Sequence, residues 1–470
     1  MQLGLSEILS VTGGELIAGN PSTVVKTFST DTRNLKNGDF FIGLKGENFD
    51  GGKFSHQALA KDAIGIMVSE MPPELSVPRG KCCVRVKDTL AALGDLAAFW
   101  RKKINPVTLA VMGSSGKTTT KDMIAHMGSS HFNMVSTKEN FNNTIGVPLT
   151  IFEVKESTEL LAVELGMNMP GEMSRLSRIT NPDFLVLTNI GRAHLGMFGS
   201  REKLIKAKAE VFDYLKPDCT LIINADCAFT PSFLSYKKFD HPRITFGIDN
   251  NADLMAANPR CVRKDCYEFE LVRQGEKIGT VRVPLFGRYN IYNALGAISA
   301  LYAAGTGLEN ITDGLIDFTP AKMRSEILLV DGVTIVSDCY NSNPDAVALA
   351  LASLHETRKN GKIFVVLGDM LELGDDAERI HREVGSLFAK WGVDILITYG
   401  EMSVFIGSEA QKHRQETRHF KTHESIAVFL SDQASPGDTV LIKGSRLMKL
   451  ENVSRKLIEL KTSNVLVKQG

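Results

Sequence analysis

The sequence predicts an α/β protein of three domains: a central P-loop domain on a doubly wound, mainly parallel sheet, a C-terminal Rossmann-like α/β domain, and a smaller N-terminal α/β substrate domain. Three observations predict it. At 470 residues the chain exceeds one ordinary core. Beyond Pro106, short apolar runs alternate with helical patterns, as parallel strands covered by helices do. One of those runs, Val107–Met112, feeds directly into the glycine turn Gly113-Ser114-Ser115-Gly116 and then Lys117-Thr118-Thr119-Thr120.

The segments follow in order. Residues 1–105 alternate short strand-like runs such as Asp39–Leu44 with glycine and aspartate turns, and they read as a substrate-docking domain. A helix over Leu90–Lys103 is stopped at Pro106. Residues 106–318 form the nucleotide domain, with buried strands expected at Leu160–Val163, Phe184–Thr188 and Thr220–Ile223. After a pause at Phe318-Thr319-Pro320 the pattern restarts over 319–470, with strands at Val333–Asp338, Ile363–Gly368, Ile395–Thr398 and Thr439–Ile442.

Composition excludes several classes. Lys plus Arg and Asp plus Glu stand at 54 each, which argues against nucleic acid or an anionic membrane as the dominant partner. The start Met1–Glu7 has no basic stretch followed by a long apolar one, and the small-apolar stretch Ala294–Gly305 is too short to span a bilayer, so a cytoplasmic protein is expected. Seven cysteines scattered without CxxC spacing argue for reduced thiols rather than disulfides or zinc.

The glycine turn is a phosphate cradle. Its backbone N–H groups and the helix N-terminus face an anion, Lys117 brings a point charge to the outer phosphates, and the Thr118 hydroxyl is placed to ligate Mg²⁺. The expected ligand is a nucleoside triphosphate. The spacing departs from the usual motif, since Gly113 is three residues before Gly116. Glu164 ends a predicted strand and His194 follows another, where open α/β sheets place their ligands. Both also read as ordinary strand-end and loop polar residues. Lys208 interrupts the apolar stripe Leu204, Ala207, Val211, Leu215 of a helix expected over Ser200–Leu215. One reading is a snorkelling stem. The other is a desolvated amine, which reacts with carbon dioxide to give an anionic oxygen ligand for Mg²⁺.

These strings occur in the order seen in the Mur ligases, together with Asn142-Asn143-Thr144-Ile145-Gly146, Glu164-Leu165-Gly166, Asn189–Leu195, Ala207–Phe212, Gly287–Ala294 and Lys322-Met323-Arg324. The sequence resembles that family along nearly its whole length. Asp338–Pro344, Leu367–Gly374 and Lys443–Arg446 are most similar to the member that adds D-Ala-D-Ala to UDP-N-acetylmuramoyl-tripeptide, through an acyl phosphate, in peptidoglycan precursor synthesis.

The resemblance implies that Gly113, Ser114, Ser115, Gly116, Lys117, Thr118 and Thr119 cradle ATP, with Asn290 and Asn293 near the adenine, Asp338 on the ribose and Arg324 on the phosphates. It implies Thr118, Glu164, His194 and a carbamylated Lys208 as Mg²⁺ ligands, and Lys117, Lys208, His194 and Arg324 as catalytic residues. Substrate contacts would come from Thr32, Arg33, Glu47, Asn48, Asn142, Asn143, Thr144, Asn341 and Asn343. A monomer is expected. The chain departs from the family at Met112, Cys339 and Gly196, where threonine, serine and glutamate are usual. A diamino-acid-adding Mur-type ligase, a folylpolyglutamate-like synthetase and a non-catalytic nucleotide-binding scaffold remain alternatives.

Overall fold

The structure is a computed structural model that describes residues 1–46, 49–192, 195–237, 240–358 and 360–468, with side chains at all of these except 195 and 463–468. The chain forms two compact units, one of Met1–Val111, Gly128–Leu185 and Glu210–Cys219, the other of Met112–Met127, Val186–Ala209 and Thr220–Gly470.

In the first unit, strands Phe28–Ser29, Phe40–Ile42, Gly65–Val68 and Cys82–Arg85 pair in parallel, and Glu15–Ala18 closes the sheet antiparallel to the last of them. The helix Thr89–Ile104 follows. Asp88 caps its first turn by accepting the N–H groups of Leu90 and Ala91, Arg101, Lys102 and Lys103 favour its negative end, and left-handed Asn105 before Pro106 stops it. Leu160–Glu164 then lies parallel to both Val107–Met112 and Met134–Ser136. Its five residues are all buried, which is why it reads as an unbroken apolar run ending in a carboxylate.

The second unit holds the parallel strands Thr220–Asn224 and Arg243–Gly247, then Leu254–Arg263, Cys266–Arg273 and Glu276–Val283. The last three form an antiparallel meander that the expected parallel pattern did not include. Its second turn, Gln274-Gly275, has both residues at positive φ, 52° and 84°, the twist that suits a two-residue hairpin. Helix Tyr289–Ala303 buries Ile291, Ala294, Leu295, Ala297, Ile298 and Leu301, so the small-apolar stretch is a core helix. Among the described residues no helix is long and apolar enough to cross a membrane.

A six-stranded sheet completes this unit in the order Glu326–Val330, Val333–Ser337, Thr439–Lys443, Ile363–Gly368, Ile395–Tyr399, Thr417–Phe420, parallel except for the first pair. Alternate residues of its central strands serve two cores: Val365, Leu367 and Leu441 pack on one face, Phe364, Val366, Val440 and Ile442 on the other.

One expected element is shorter than predicted. The helix over Ser200–Leu215 is an α-helix only across Arg201–Ala209 and tightens into a 3₁₀ turn over Glu210–Asp213. The Val211 carbonyl accepts the Ser177 hydroxyl, Glu210 accepts the Gly171 N–H, and Pro217 forbids further helix. The buried stripe therefore ends at Val211, with Leu215 half-buried.

Candidate active site

The second unit carries the phosphate cradle. Gly113 has φ 148° and Gly116 φ 81°, conformations that L side chains rarely adopt. Space adds to the requirement, because a Cβ on Gly113 would run into Thr188 Oγ1 and one on Gly116 into Asn293 Oδ1. The loop is held from both sides. The Asn189 carbonyl accepts the Ser114 N–H (3.0 Å), its Oδ1 accepts the Ser115 N–H (3.1 Å), and its Nδ2 donates to the Ser115 carbonyl (3.0 Å). Helix Lys117–Gly128 starts at the last glycine, with Thr118 buried and Lys117 and Thr119 half-buried.

Two lysines converge on one carbonyl. Lys117 Nζ donates to the Gly113 oxygen at 3.1 Å and Lys208 Nζ to the same oxygen at 3.3 Å. Lys208 is 3% exposed, whereas its helix neighbours Lys203 and Lys206 are exposed, so its ammonium does not snorkel to water. Burial, and then the Lys117 charge, push its pKa from the usual lysine range down to about 7. Near neutral pH a substantial fraction of Lys208 is thus the free amine.

Asn290 and Asn293 lie beneath the cradle, 2% and 6% exposed. Asn293 Oδ1 accepts from Thr120 Oγ1 (3.3 Å), its Nδ2 donates to Asn290 Oδ1 (2.7 Å), and Asn290 Nδ2 donates to the Phe286 carbonyl (2.8 Å). Phe286 in turn belongs to the core of the six-stranded sheet. Their amides therefore brace the cradle.

From the C-terminal part, the Arg324 guanidinium stacks over the Tyr340 ring at 3.8 Å. It is flanked by Met323 and Ser325 at φ 63° and 56°. Such positions cost free energy unless the surroundings enforce them. Here the Ser325 N–H donates to Asp338 Oδ1 (3.1 Å), Ser325 Oγ meets the Tyr289 hydroxyl (2.7 Å), and the Tyr340 N–H donates to the Met323 carbonyl (3.1 Å). Asp338 Oδ2 is paired with buried Lys443 at 2.7 Å. Asn343 caps helix Pro344–Thr357 and its Nδ2 donates to Ser115 Oγ of the cradle (3.2 Å), while Asn341 is exposed.

The remaining expected residues lie in the first unit. Glu164 is 1% exposed, accepting from Asn142 Nδ2 (2.7 Å) at Oε1. Asn143 Oδ1 accepts the N–H groups of Ile145 and Gly146, an Asx turn that leads into helix Gly146–Ile151, and Thr144 is buried. Thr32 is buried and donates to Gln57 Oε1, whereas Arg33 projects outward and holds the Asp31 carboxyl down at about 2. His194, Glu47 and Asn48 lie outside the described residues. Among those described, no group of three or more His, Cys, Asp or Glu side chains is arranged to hold a metal ion.

The three departures have physical reasons. Cys339 is buried in the apolar core beside Ile335 and Ile442, with Sγ 3.6 Å from Ser337 Oγ, and burial pushes its thiol up to about 11. Met112 is fully buried, and its carbonyl accepts the Thr188 N–H. Gly196 donates its N–H to the Glu372 carbonyl (3.1 Å), and any Cβ there would collide with the Leu373–Gly374 backbone. The roles of Asn189, Thr188, Arg192 and Lys443 were not foreseen. Asn189 and Thr188 act through hydrogen bonds to backbone, Arg192 through the Asp345 and Glu383 carboxylates and Lys443 through the Asp338 carboxylate, partners that a single sequence does not display.

Two family models match the chain in successive segments. The Mur ligase middle domain model covers residues 111–301, and the Mur ligase, glutamate ligase domain model covers 323–446. UDP-N-acetylmuramoyl-tripeptide--D-alanyl-D-alanine ligase of Bacillus subtilis (strain 168) is 35% identical over 449 residues, 93% of this chain and 94% of that one. A crystal structure of MurF from Acinetobacter baumannii matches with TM-score 0.87 and 30% identity over 98% and 99% of the two chains. MurF ligase from Thermotoga maritima, solved in complex with ADP, shares the fold at TM-score 0.81 and 24% identity over 94% and 99%. The cradle lies within the first matched segment and the Arg324–Asp338 turn within the second, so this chain belongs to the Mur ligase family.

Proposed function

We propose that this protein joins D-Ala-D-Ala to UDP-N-acetylmuramoyl-tripeptide with ATP as the activating substrate. The observation that carries the reading is the convergence of Lys117 and buried Lys208 on the Gly113 carbonyl inside a phosphate cradle. A non-catalytic scaffold has no use for a desolvated amine there. The full-length likeness to UDP-N-acetylmuramoyl-tripeptide--D-alanyl-D-alanine ligases supports the dipeptide as the amine. We read the chain as three domains, 1–105 for the UDP-sugar, 106–318 for ATP, and 319–470 for closure over ATP and the amine. The two matched models leave 302–322 between them, and that gap contains Phe318-Thr319-Pro320. The likeness and the lack of a membrane-spanning helix among the described residues support a cytoplasmic enzyme acting on small molecules.

A carboxylate and an amine do not condense at neutral pH, so the tripeptide carboxylate must first attack the γ-phosphorus, forming an acyl phosphate as the bond to the β,γ-bridging oxygen breaks and ADP leaves. Lys117 and the N-terminus of the helix that starts there hold the phosphates, and Arg324 neutralises charge that develops during transfer. Lys208, as free amine, adds to carbon dioxide: a C–N bond forms, one C=O electron pair moves to oxygen, and the nitrogen proton goes to solvent. The family resemblance names Thr118, Glu164, His194 and a carbamylated Lys208 as the residues that would hold Mg²⁺, and oxygen donors with one imidazole are the chemistry that suits this ion. When bound, Mg²⁺ would offset repulsion between the carboxylate and the phosphates. Asp338 would orient the ribose, with Lys443 fixing its carboxylate. The dipeptide amine then attacks the acyl phosphate through a tetrahedral intermediate and releases phosphate.

The test supplies purified protein with ATP, Mg²⁺, UDP-muramoyl tripeptide and a panel of amines, following ADP and product mass. D-Ala-D-Ala should give the fastest ADP release and a product one dipeptide heavier. Faster turnover with a single diamino acid or glutamate would overturn the assignment.

A further inference from the structure

The loop after strand Phe184–Leu187 is gripped at two points by the segment matched to the C-terminal domain model. On one side it is zipped to the phosphate cradle: besides the Asn189 bonds, the Gly191 N–H donates to Ser114 Oγ at 2.8 Å. On the other side Arg192 is enclosed by carboxylates. Its backbone N–H and Nε donate to Asp345 Oδ2 (2.7 Å) and Oδ1 (2.8 Å), and Nη1 donates to Glu383 Oε1 (2.8 Å). The second grip is the Gly196 N–H on the Glu372 carbonyl.

Both grips depend on the absence of a side chain. A Cβ on Gly191 would lie 2.7 Å from Asp345 Oδ2, and one on Gly196 would enter the Leu373–Gly374 backbone. Asp345 itself is fixed, since it sits in the first turn of the helix that Asn343 caps, and Asn343 also touches Ser115 of the cradle. The Arg192 side chain is 21% exposed, which places the pair in a partly desolvated setting where a charged, bidentate contact holds geometry better than at an open surface.

We propose that Arg192, Asp345 and Glu383 form a latch by which docking of the C-terminal segment sets the position of residues 189–192 on the phosphate cradle. They are positioning residues for the ligase reaction, and the proposal rests on the function given above. An open latch leaves the cradle intact for ATP but misplaces the loop during phosphoryl transfer.

The experiment compares wild type, Arg192→Met, Asp345→Asn, the double variant, and Glu383→Gln, which alters the more exposed carboxylate. Wild-type product formation tests the function by itself. Relative to wild type, Arg192→Met and Asp345→Asn should each lower kcat at least about tenfold with KM for ATP within about threefold, and Glu383→Gln should lower kcat less. The double variant should lose no more than the worse single one, because one contact is being removed twice. Independent of activity, small-angle scattering with ADP should give a larger radius of gyration for the Arg192 and Asp345 variants. Multiplying losses in the double variant, a rise in ATP KM that accounts for the loss, or unchanged kcat would each overturn the latch. Equal radii would also overturn it, including in a preparation that shows no ligase activity. If Arg192→Met fails to fold, Glu383→Gln decides, and unchanged kcat and radius in that variant count against the proposal.

Discussion

Lys208 and Lys443 belong to the same compact unit and are equally buried, 3% exposed each, yet their surroundings are opposite. Lys443 meets the Asp338 carboxylate at 2.7 Å and the Asn341 carbonyl at 3.2 Å. Lys461, 5% exposed, is likewise met by the carbonyls of Ala434 (2.7 Å) and Ser431 (3.3 Å), and Lys121 is paired with Asp122. Among the described residues, Lys208 has one neutral acceptor, the Gly113 carbonyl, which also receives the Lys117 ammonium. Where the fold needs a buried lysine for structure, it supplies compensating oxygens. The lysine left beside a second cation is the one whose proton is easily lost, and a free amine is a reactant.

The largest expected effect breaks the comparison from the Lys208 side. Lys208→Ala should lower kcat at least about 100-fold and regain part of it with added short carboxylic acids, which place an oxygen anion where the carbamate stood. Lys208→Arg keeps a positive charge and forms no carbamate, so it should stay inactive. An active Lys208→Arg would make Lys208 a second structural lysine like Lys443.

The next effect sharpens the comparison from the Lys443 side. Lys443→Met removes the partner of a carboxylate whose side chain is 17% exposed. It also frees the strained Met323–Ser325 turn that Asp338 organises. Breaking a buried pair in this way costs about 3 kcal/mol, read as a lower urea midpoint. Lys208→Met should move the midpoint the other way, since it removes a desolvated charge. Variants that shift together would show that the two environments are energetically alike.

The contrast also measures what the sequence carried. The cradle was legible because strand, glycine turn and helix are local, and Gly113 and Gly116 state a backbone conformation directly. Lys208 was legible as an interruption in an apolar stripe, although its helix proved shorter once Pro217 and the Ser177–Val211 bond ended it. The C-terminal sheet was legible because both its faces are buried and its strands are continuous apolar runs. The meander was not, since Tyr267, Phe269 and Leu271 alternate with Glu268 and Glu270 in a pattern that fits other half-buried strands as well. Nor was the bracing role of Asn290 and Asn293, or the Lys443–Asp338 pair, because residues more than a hundred positions apart meet there.

The most gradual effect concerns stability against pH in carbon-dioxide-free buffer. In the native state Lys208 gives up its proton near pH 7, whereas in the unfolded chain it does so near about 10.4. Between those values the unfolded state binds one proton more than the native state. Stability must then rise with pH, by up to about 1.4 kcal/mol per pH unit, and the destabilisation due to Lys208 is fully present only below pH 7. The other lysines titrate alike in wild type and Lys208→Met, so the difference between the two isolates this residue. Lys208→Met should be the more stable at pH 7, with an advantage that shrinks steadily toward pH 10. Bicarbonate at pH 8 should raise the wild-type midpoint by trapping the free amine as carbamate, and leave the variant unchanged. Parallel stability curves would mean that Lys208 keeps its proton in the native state, and the contrast with Lys443 would then be one of partners without consequence for charge.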